Sequence, residues 1–201
     1  MATVTTPHIT LQEFLKLEAE APEGVTLELI EGKLVERPSM TTRGAWHSFV
    51  LAQLVARLVL WQDSKLDFQG SVAAGEVRCQ LDPESESVVG IDVGVWDQET
   101  PSFDPPLYEG PPVVAAEILS PSDTVQGVSS KTELYLKSGV RQVWILDPVW
   151  KTVTVFRKGQ KPILLGDDDL LSGEGELPGF SVPVSRFFGK LKDVASPSEV
   201  H

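Results

Sequence analysis

The 201-residue chain predicts an α/β fold, a mixed central β-sheet flanked by helices with a helix and a hairpin at its N-terminal end. Three observations carry this expectation. Apolar residues recur at helical spacing from Thr41 to about Trp61, and a lysine-bearing helical stretch follows Ser122. Alternating or nearly all-apolar runs of strand length lie before, between and after these two segments. Glycine, proline and Asp-Pro signals separate the runs at short intervals, with no repeat, low-complexity block or linker. Residues 1–195 therefore read as a single domain and 196–201 as a frayed tail.

The elements follow in order. Thr10 and Glu13 have capping-box spacing ahead of "LQEFLKLEAE", a short amphipathic helix that Pro22 and Gly24 close. "VTLELIEGKLVERP" alternates apolar and polar on both sides of Glu31-Gly32 and reads as a hairpin. The next helix carries a stripe of Trp46, Phe49, Val50, Leu54, Val55, Leu58 and Trp61, which should cover one face of the sheet. "GSVAAGEVRCQL" alternates as a strand, whereas "SVVGIDVGVWD" and "PPVVAAEILS" are nearly continuous in apolar residues, as central strands are. The proline-rich "QETPSFDPPLYEGPP" between the last two is a loop. Ser122 or Ser129 can cap a helix over "SSKTELYLKSG", which Gly139 stops, with Glu133 and Lys137 forming an ion pair on its surface. "VRQVWILDP" and "KTVTVFRKG" are two further strands around an Asp-Pro turn, and "LPGFSVPVSRFF" packs its apolar residues back on the core.

Composition narrows the setting. The single cysteine, Cys79, excludes an intramolecular disulfide and a cysteine-rich zinc site. No basic-plus-apolar leader and no run long enough to span a bilayer is present, so a reduced, cytoplasmic setting without membrane contact is expected. The net charge of −12 opposes non-specific attraction to nucleic acid. Its distribution is uneven: residues 79–130 hold ten acids and no Lys or Arg, and residues 131–161 hold seven basic residues against two acids. These can be solvated faces of an acidic protein, or a cation-collecting pocket beside a phosphate-facing strip.

Two central strands each place one acid inside an apolar frame, Asp92 in "VVGIDVGV" and Glu117 in "VVAAEIL". A buried carboxylate must be paired, protonated or bound to a cation. One such acid is readily a satisfied core group; two on separate strands, followed by a lysine-bearing helix, point to a site. Carboxylate oxygens, a backbone carbonyl and water suit a hard cation such as Mg²⁺, and such a cation serves phosphoryl chemistry.

The ordered set "LELIEGKLVERPS", His47 in the following helix, "VVGIDVGVWD", "VVAAEILSPSD", "KTELYLKSGVRQVWILDP" and "LPGFSVPVSRFF" resembles the Uma-two type of restriction endonuclease, within the PD-(D/E)XK nuclease superfamily. The resemblance runs over residues 10–190. It implies a restriction-endonuclease-like core and a Mg²⁺-dependent endonuclease, Mn²⁺ being possible, with DNA as substrate and a homodimer as the assembly. Asp92 and Glu117 match the metal-binding acids, with the Ile118 backbone carbonyl as a third ligand. The usual lysine two residues after the second acid is absent, since Leu119 stands there; Lys131 matches a lysine relocated to the next helix. Glu28 matches an N-terminal acid and His47 a helix histidine of accessory role. Ile91 stands where the pattern has proline, and Gly127 where it has an acid.

Each residue also has an ordinary reading: Glu28 facing solvent from an alternating strand, His47 a satisfied or exposed helix histidine, Lys131 a surface lysine. The rival function is a catalytically inactive nuclease-fold module that binds an unidentified protein partner, which the charge and Gly127 favour. Glycoside hydrolysis by paired carboxylates is a further alternative, but no aromatic sugar platform accompanies the acids.

Overall fold

The computed structural model describes residues 8–38, 44–82, 84, 86–97 and 107–189. The expected tail from residue 196 and the expected helix start at 41–43 lie outside these residues. Helix α1 (Leu11–Ala19) opens on the capping box, with the Thr10 hydroxyl accepting from the Glu13 amide and the Glu13 carboxylate accepting from the Thr10 amide. Strands β1 (Val25–Ile30) and β2 (Lys33–Pro38) pair antiparallel across Glu31 and Gly32, whose φ values of 49° and 71° give the tight left-handed turn that hairpin strands require.

Helix α2 (Ala45–Asp63) buries His47, Val50, Leu54, Leu58 and Trp61, a strict three-and-four spacing. The expected stripe is corrected at its N-terminal end. Trp46 and Phe49 are exposed and rest edge-on against each other, 6.1 Å apart, while His47 takes the inward position. Strand β3 (Ser71–Asp82) pairs antiparallel with β4 (Ser87–Trp96), interrupted by a bulge between Ala74 and Val77. The proline-rich loop contains, beyond expectation, a two-residue strand β5 (Tyr108–Glu109) parallel to β3. Then come β6 (Val114–Ile118), helix α3 (Val125–Lys137), β7 (Gln142–Asp147) and β8 (Thr152–Arg157). The cap of α3 is Thr124, not Ser122 or Ser129: its hydroxyl accepts from the Gly127 amide at 3.1 Å. Gly139, at φ 104°, ends the helix as expected.

A short strand, β9 (Ile163–Leu165), extends the sheet beyond β8. Strands β10 (Leu170–Ser172) and β11 (Ser181–Pro183) form a separate ribbon leading to the one-turn helix α4 (Ser185–Phe188). Phe180, Phe187 and Phe188 from this C-terminal segment are buried in one cluster with Leu54 and Leu58 of α2. Alternate residues of β6 and β7 divide between two cores. Val114, Ala116, Trp144 and Leu146 join the α2 cluster, whereas Ala115, Val143 and Ile145 join Tyr135 of α3. The two long helices therefore cover opposite faces of a mixed sheet.

The topology creates a notch. Strand β4 has β3 along one edge; its other edge is shared by β1, which pairs only Leu29 with Val88, and by β6, which pairs from Val93 onwards. Val89 to Asp92 have no strand partner on that edge among the described residues. An edge without its ladder must satisfy its polar groups in another way, and the candidate functional residues do this.

Candidate active site

Asp92 and Glu117 stand one step beyond the Val93–Ala116 pair, so they lie abreast on adjacent antiparallel strands. Instead of a ladder bond, the Ile118 amide donates to Asp92 Oδ2 at 2.9 Å. His47 Nε2 meets the same oxygen at 3.1 Å, with both side chains about 5% exposed. Burial works against charge on Asp92, but the His47 and Ile118 hydrogen bonds outweigh it and hold the carboxyl below its ordinary value. An ionised Asp92 requires a proton on His47 Nε2, which makes this histidine a donor that fixes the carboxylate. His47 is thus a satisfied helix histidine and a member of the site at once.

Glu117 is held from α3. Lys131 Nζ donates to Oε2 at 2.9 Å, and the Tyr135 hydroxyl lies 2.5 Å from Oε1 and 3.3 Å from the Gly90 carbonyl. Lys131 and Tyr135 are four apart and share one helix face, which is why both reach the same carboxylate. Burial raises the Glu117 carboxyl from 4.5 to about 7; the nearby Asp92 charge adds to this, and Lys131 and Tyr135 only partly offset it. Burial opposes the Lys131 charge, yet the attraction of Glu117, then Glu28 and Asp92, leaves its ammonium harder to deprotonate than usual. Burial and the Glu117 charge together push the Tyr135 phenol well above its ordinary value.

The hydroxyl geometry serves both states of Glu117. When the acid is ionised, Tyr135 donates to it. When it is protonated at Oε1, it can donate to Tyr135, which then donates to the Gly90 carbonyl. Glu28 of β1 is buried at 7% exposure, and its charge acts on both Lys131 and Tyr135. The solvent-facing reading of Glu28 is thereby excluded.

The structure therefore gathers Asp92, Glu117, Lys131, Glu28 and His47 around one notch. Lys131 is not a surface lysine. The Ile118 amide is seen to bind Asp92. The expected Glu133–Lys137 pair is corrected: Lys137 reaches across to Glu31 in the β1–β2 turn instead. One residue of the site, Tyr135, has no part in the sequence reading, and neither has the neighbouring bulge that carries Glu76. Tyr135 stands four residues after Lys131, so helical spacing from the lysine was the available signal. Glu76 sits in the β3 bulge at φ 59°, after Gly75 at φ 98°, and its Oε2 lies 2.6 Å from where a Gly90 side chain would begin. Glycine at position 90 makes room for that carboxylate; a bulge re-aiming a side chain is not visible in an alternating pattern. Cys79 is no nucleophile, since burial pushes its thiol up to about 12.

The donor set fits a hard divalent cation. Two carboxylates lie abreast, burial and mutual repulsion make the second reluctant to ionise, and both hydrogen bonds to Asp92 fall on Oδ2, leaving Oδ1 to bind. No group of three or more His, Cys, Asp and Glu side chains arranged to hold a metal occurs among the described residues. The protein's share would be two carboxylates and backbone oxygen, with water completing the shell, as is usual for Mg²⁺.

Comparison with known proteins bears on the family and the fold. The family model described as "Uma2: Putative restriction endonuclease" matches residues 11–185. Among solved structures, a chain from Anabaena variabilis, described as "a putative nuclease belonging to DUF820", superposes with a TM-score of 0.71 at 24% identity, over 90% of this chain and 97% of that one. At that identity the likeness establishes a shared fold, the helix-flanked mixed sheet described above. No curated protein matches the chain. Among the described residues no helix is long and apolar enough to cross a membrane.

Proposed function

This chain belongs to the Uma2 family, and from that premise we propose that it is a divalent-metal-dependent endonuclease that hydrolyses DNA phosphodiester bonds. The observation that carries the reading is the Lys131–Glu117 contact of 2.9 Å beside Asp92. It supports the idea that a helix lysine stands in for the one missing at Leu119, because only an ammonium has to arrive, whatever backbone delivers it.

Mg²⁺, or Mn²⁺ in its place, would be held by Asp92 and Glu117 with the Ile118 carbonyl. When bound it supplies Lewis-acid neutralisation of phosphate charge and an acidified water. The chain's own groups do the rest. His47 and the Ile118 amide fix Asp92, so that a ligand is oriented before anything binds. Lys131, kept as an ammonium by three surrounding carboxylates, opposes the negative charge that accumulates on the phosphorus oxygens as water attacks. In the metal-free protein Glu117 holds or releases a proton near neutral pH, with Tyr135 accepting or donating at Oε1, and binding of the cation would take its ionised form. Glu28 contributes a further negative charge, to the site directly or through water, and sustains the charge on Lys131. Cleavage of both strands of a duplex calls for two such sites, hence a homodimer. A cytoplasmic location fits DNA as substrate.

In the test, Glu117→Ala should lose Mg²⁺-dependent nicking of supercoiled plasmid while keeping the wild-type circular dichroism. Equal nicking by wild type and variant would refute the reading. The second reading, an inactive module that binds a protein partner, draws on the −12 charge and on the engagement of both Glu117 oxygens by Lys131 and Tyr135. Calorimetric titration with Mg²⁺ separates the two. The nuclease binds the ion and Asp92→Ala abolishes the heat, whereas a dismantled site gives none in either protein.

A further inference from the structure

The turn between β7 and β8 exposes two large apolar side chains, Val149 at 80% and Trp150 at 78%. The turn is tied by hydrogen bonds of its own. Asp147 Oδ1 accepts from the Val149 amide at 2.8 Å and from the Trp150 amide at 3.1 Å, Lys151 takes a left-handed φ of 52°, and the strands close beneath with Asp147 against Thr152. The tryptophan therefore stands out to solvent on a hydrogen-bonded turn.

Its position relative to the site follows from register. Strands β6 and β7 are parallel, with Glu117 beside Ile145 and Ile118 beside Leu146. Asp147, where the turn begins, lies two residues past Ile145, about 7 Å along the sheet and one strand, about 5 Å, to the side. The turn thus projects from the sheet end that carries Glu117 and Asp92. A strand whose phosphate lay at the site would present bases near the turn roughly two to three nucleotides away, at about 3.4 Å per nucleotide.

Charge supplies the reason for such an element. A protein of net charge −12 gains little from long-range attraction to a polyanion. Base stacking on an aromatic ring does not depend on net charge and tolerates any sequence. We propose that the β7–β8 turn is a nucleic-acid contact in which the Trp150 indole stacks on a base of the bound strand beside the cleavage site. This inference rests on the nuclease reading above and adds where and how the strand is gripped. Lys151, next in the turn, supplies a cation for the adjoining phosphate.

The test measures binding of a fluorescein-labelled single strand and its duplex in EDTA, where cleavage is silent, together with tryptophan emission. Trp150→Ala should bind roughly 5- to 150-fold more weakly than wild type, the range of a lost base-stacking contact. Trp150→Phe, which keeps an aromatic face, should bind nearly as wild type. DNA should quench the emission of wild type more strongly than that of Trp150→Phe, which keeps the exposed Trp46 beside the site. Because Trp150 is exposed, both variants should melt with wild type. Equal affinity of Trp150→Ala and wild type, or quenching as strong in Trp150→Phe as in wild type, overturns the proposal. So does a change of sedimentation in Trp150→Ala with unchanged DNA affinity, which would assign the turn to a second copy of the chain. If wild type nicks plasmid and Trp150→Ala nicks it with the same KM, the stacking contact falls and the nuclease stands. If wild type neither binds nor nicks DNA, both fall.

Discussion

Replacing Glu117 with glutamine should flatten a specific segment of the stability–pH curve of the metal-free protein. Burial, reinforced by the Asp92 charge, raises the Glu117 carboxyl from 4.5 in the unfolded chain to about 7 in the fold. A group raised on folding contributes stability that is full below its unfolded value and lost as pH rises through its folded value. The window is therefore from about pH 4.5 to about pH 7, and stability falls across it as pH increases. At 1.36 kcal/mol per pH unit, the separation corresponds to about 3 kcal/mol. Asp92 does not confuse the measurement. Its carboxyl is lowered below 3.8, so its contribution is lost only as pH falls beneath that window. Lys131, raised above 10.5, acts only at the alkaline extreme. Urea unfolding in EDTA at a series of pH values should show wild type losing about 3 kcal/mol relative to Glu117→Gln between the two limits, and parallel curves above. The slope is the readout, because the amide also changes absolute stability. Parallel curves throughout the window would refute the claim that Glu117 is buried at a cost in its ionised form.

Three further outcomes follow from the same geometry. Tyr135→Phe removes the donor to Glu117 Oε1 and to the Gly90 carbonyl, so it should cost about 1.5–3 kcal/mol in urea unfolding and move the Glu117 titration, followed by NMR, still higher. Leu54→Ala opens a cavity at a fully buried position between α2, the sheet and the C-terminal phenylalanines, and should cost about 2–5 kcal/mol in the same assay. Mg²⁺ at a hundred times its Kd should stabilise wild type by about 2.7 kcal/mol and leave Asp92→Ala unmoved, which differential scanning at fixed pH will show.

Local chemistry was readable from the residues. Thr10 with Glu13 specified a cap, Glu31-Gly32 a hairpin turn, and two acids in apolar frames a pair of buried carboxylates on adjacent strands. The parts that were not readable depend on tertiary contact. Trp46 and Phe49 satisfy a helical stripe, but the strict inward positions belong to His47 and Val50, because α2 turns that face to the notch and the sheet. Thr124 caps α3 because the chain turns ahead of it: the Asp123 carboxylate accepts from the Ser120 amide at 2.7 Å, and the expected cap Ser122 lies inside that turn with its hydroxyl 2.9 Å from that of Ser120. The bulge that carries Glu76 has no signature beyond Gly75, and the splay of β1 from β6 along β4 has none in one dimension. That splay decides how Asp92, Glu117 and Tyr135 find partners. Lys137 illustrates the same limit: Glu133 is its neighbour along the helix, but Glu31 is the acid it reaches.

The question on which catalysis turns is whether Lys131 takes the place of the lysine that Leu119 displaces. The most direct measurement is single-turnover nicking of supercoiled plasmid in Mg²⁺ by wild type and Lys131→Met. The account predicts that wild type nicks and that the variant, folded and still binding DNA, loses roughly a hundredfold or more in rate, the cost of removing one preorganised electrostatic stabiliser. Equal rates would contradict it and leave the 2.9 Å Lys131–Glu117 contact as a structural ion pair only.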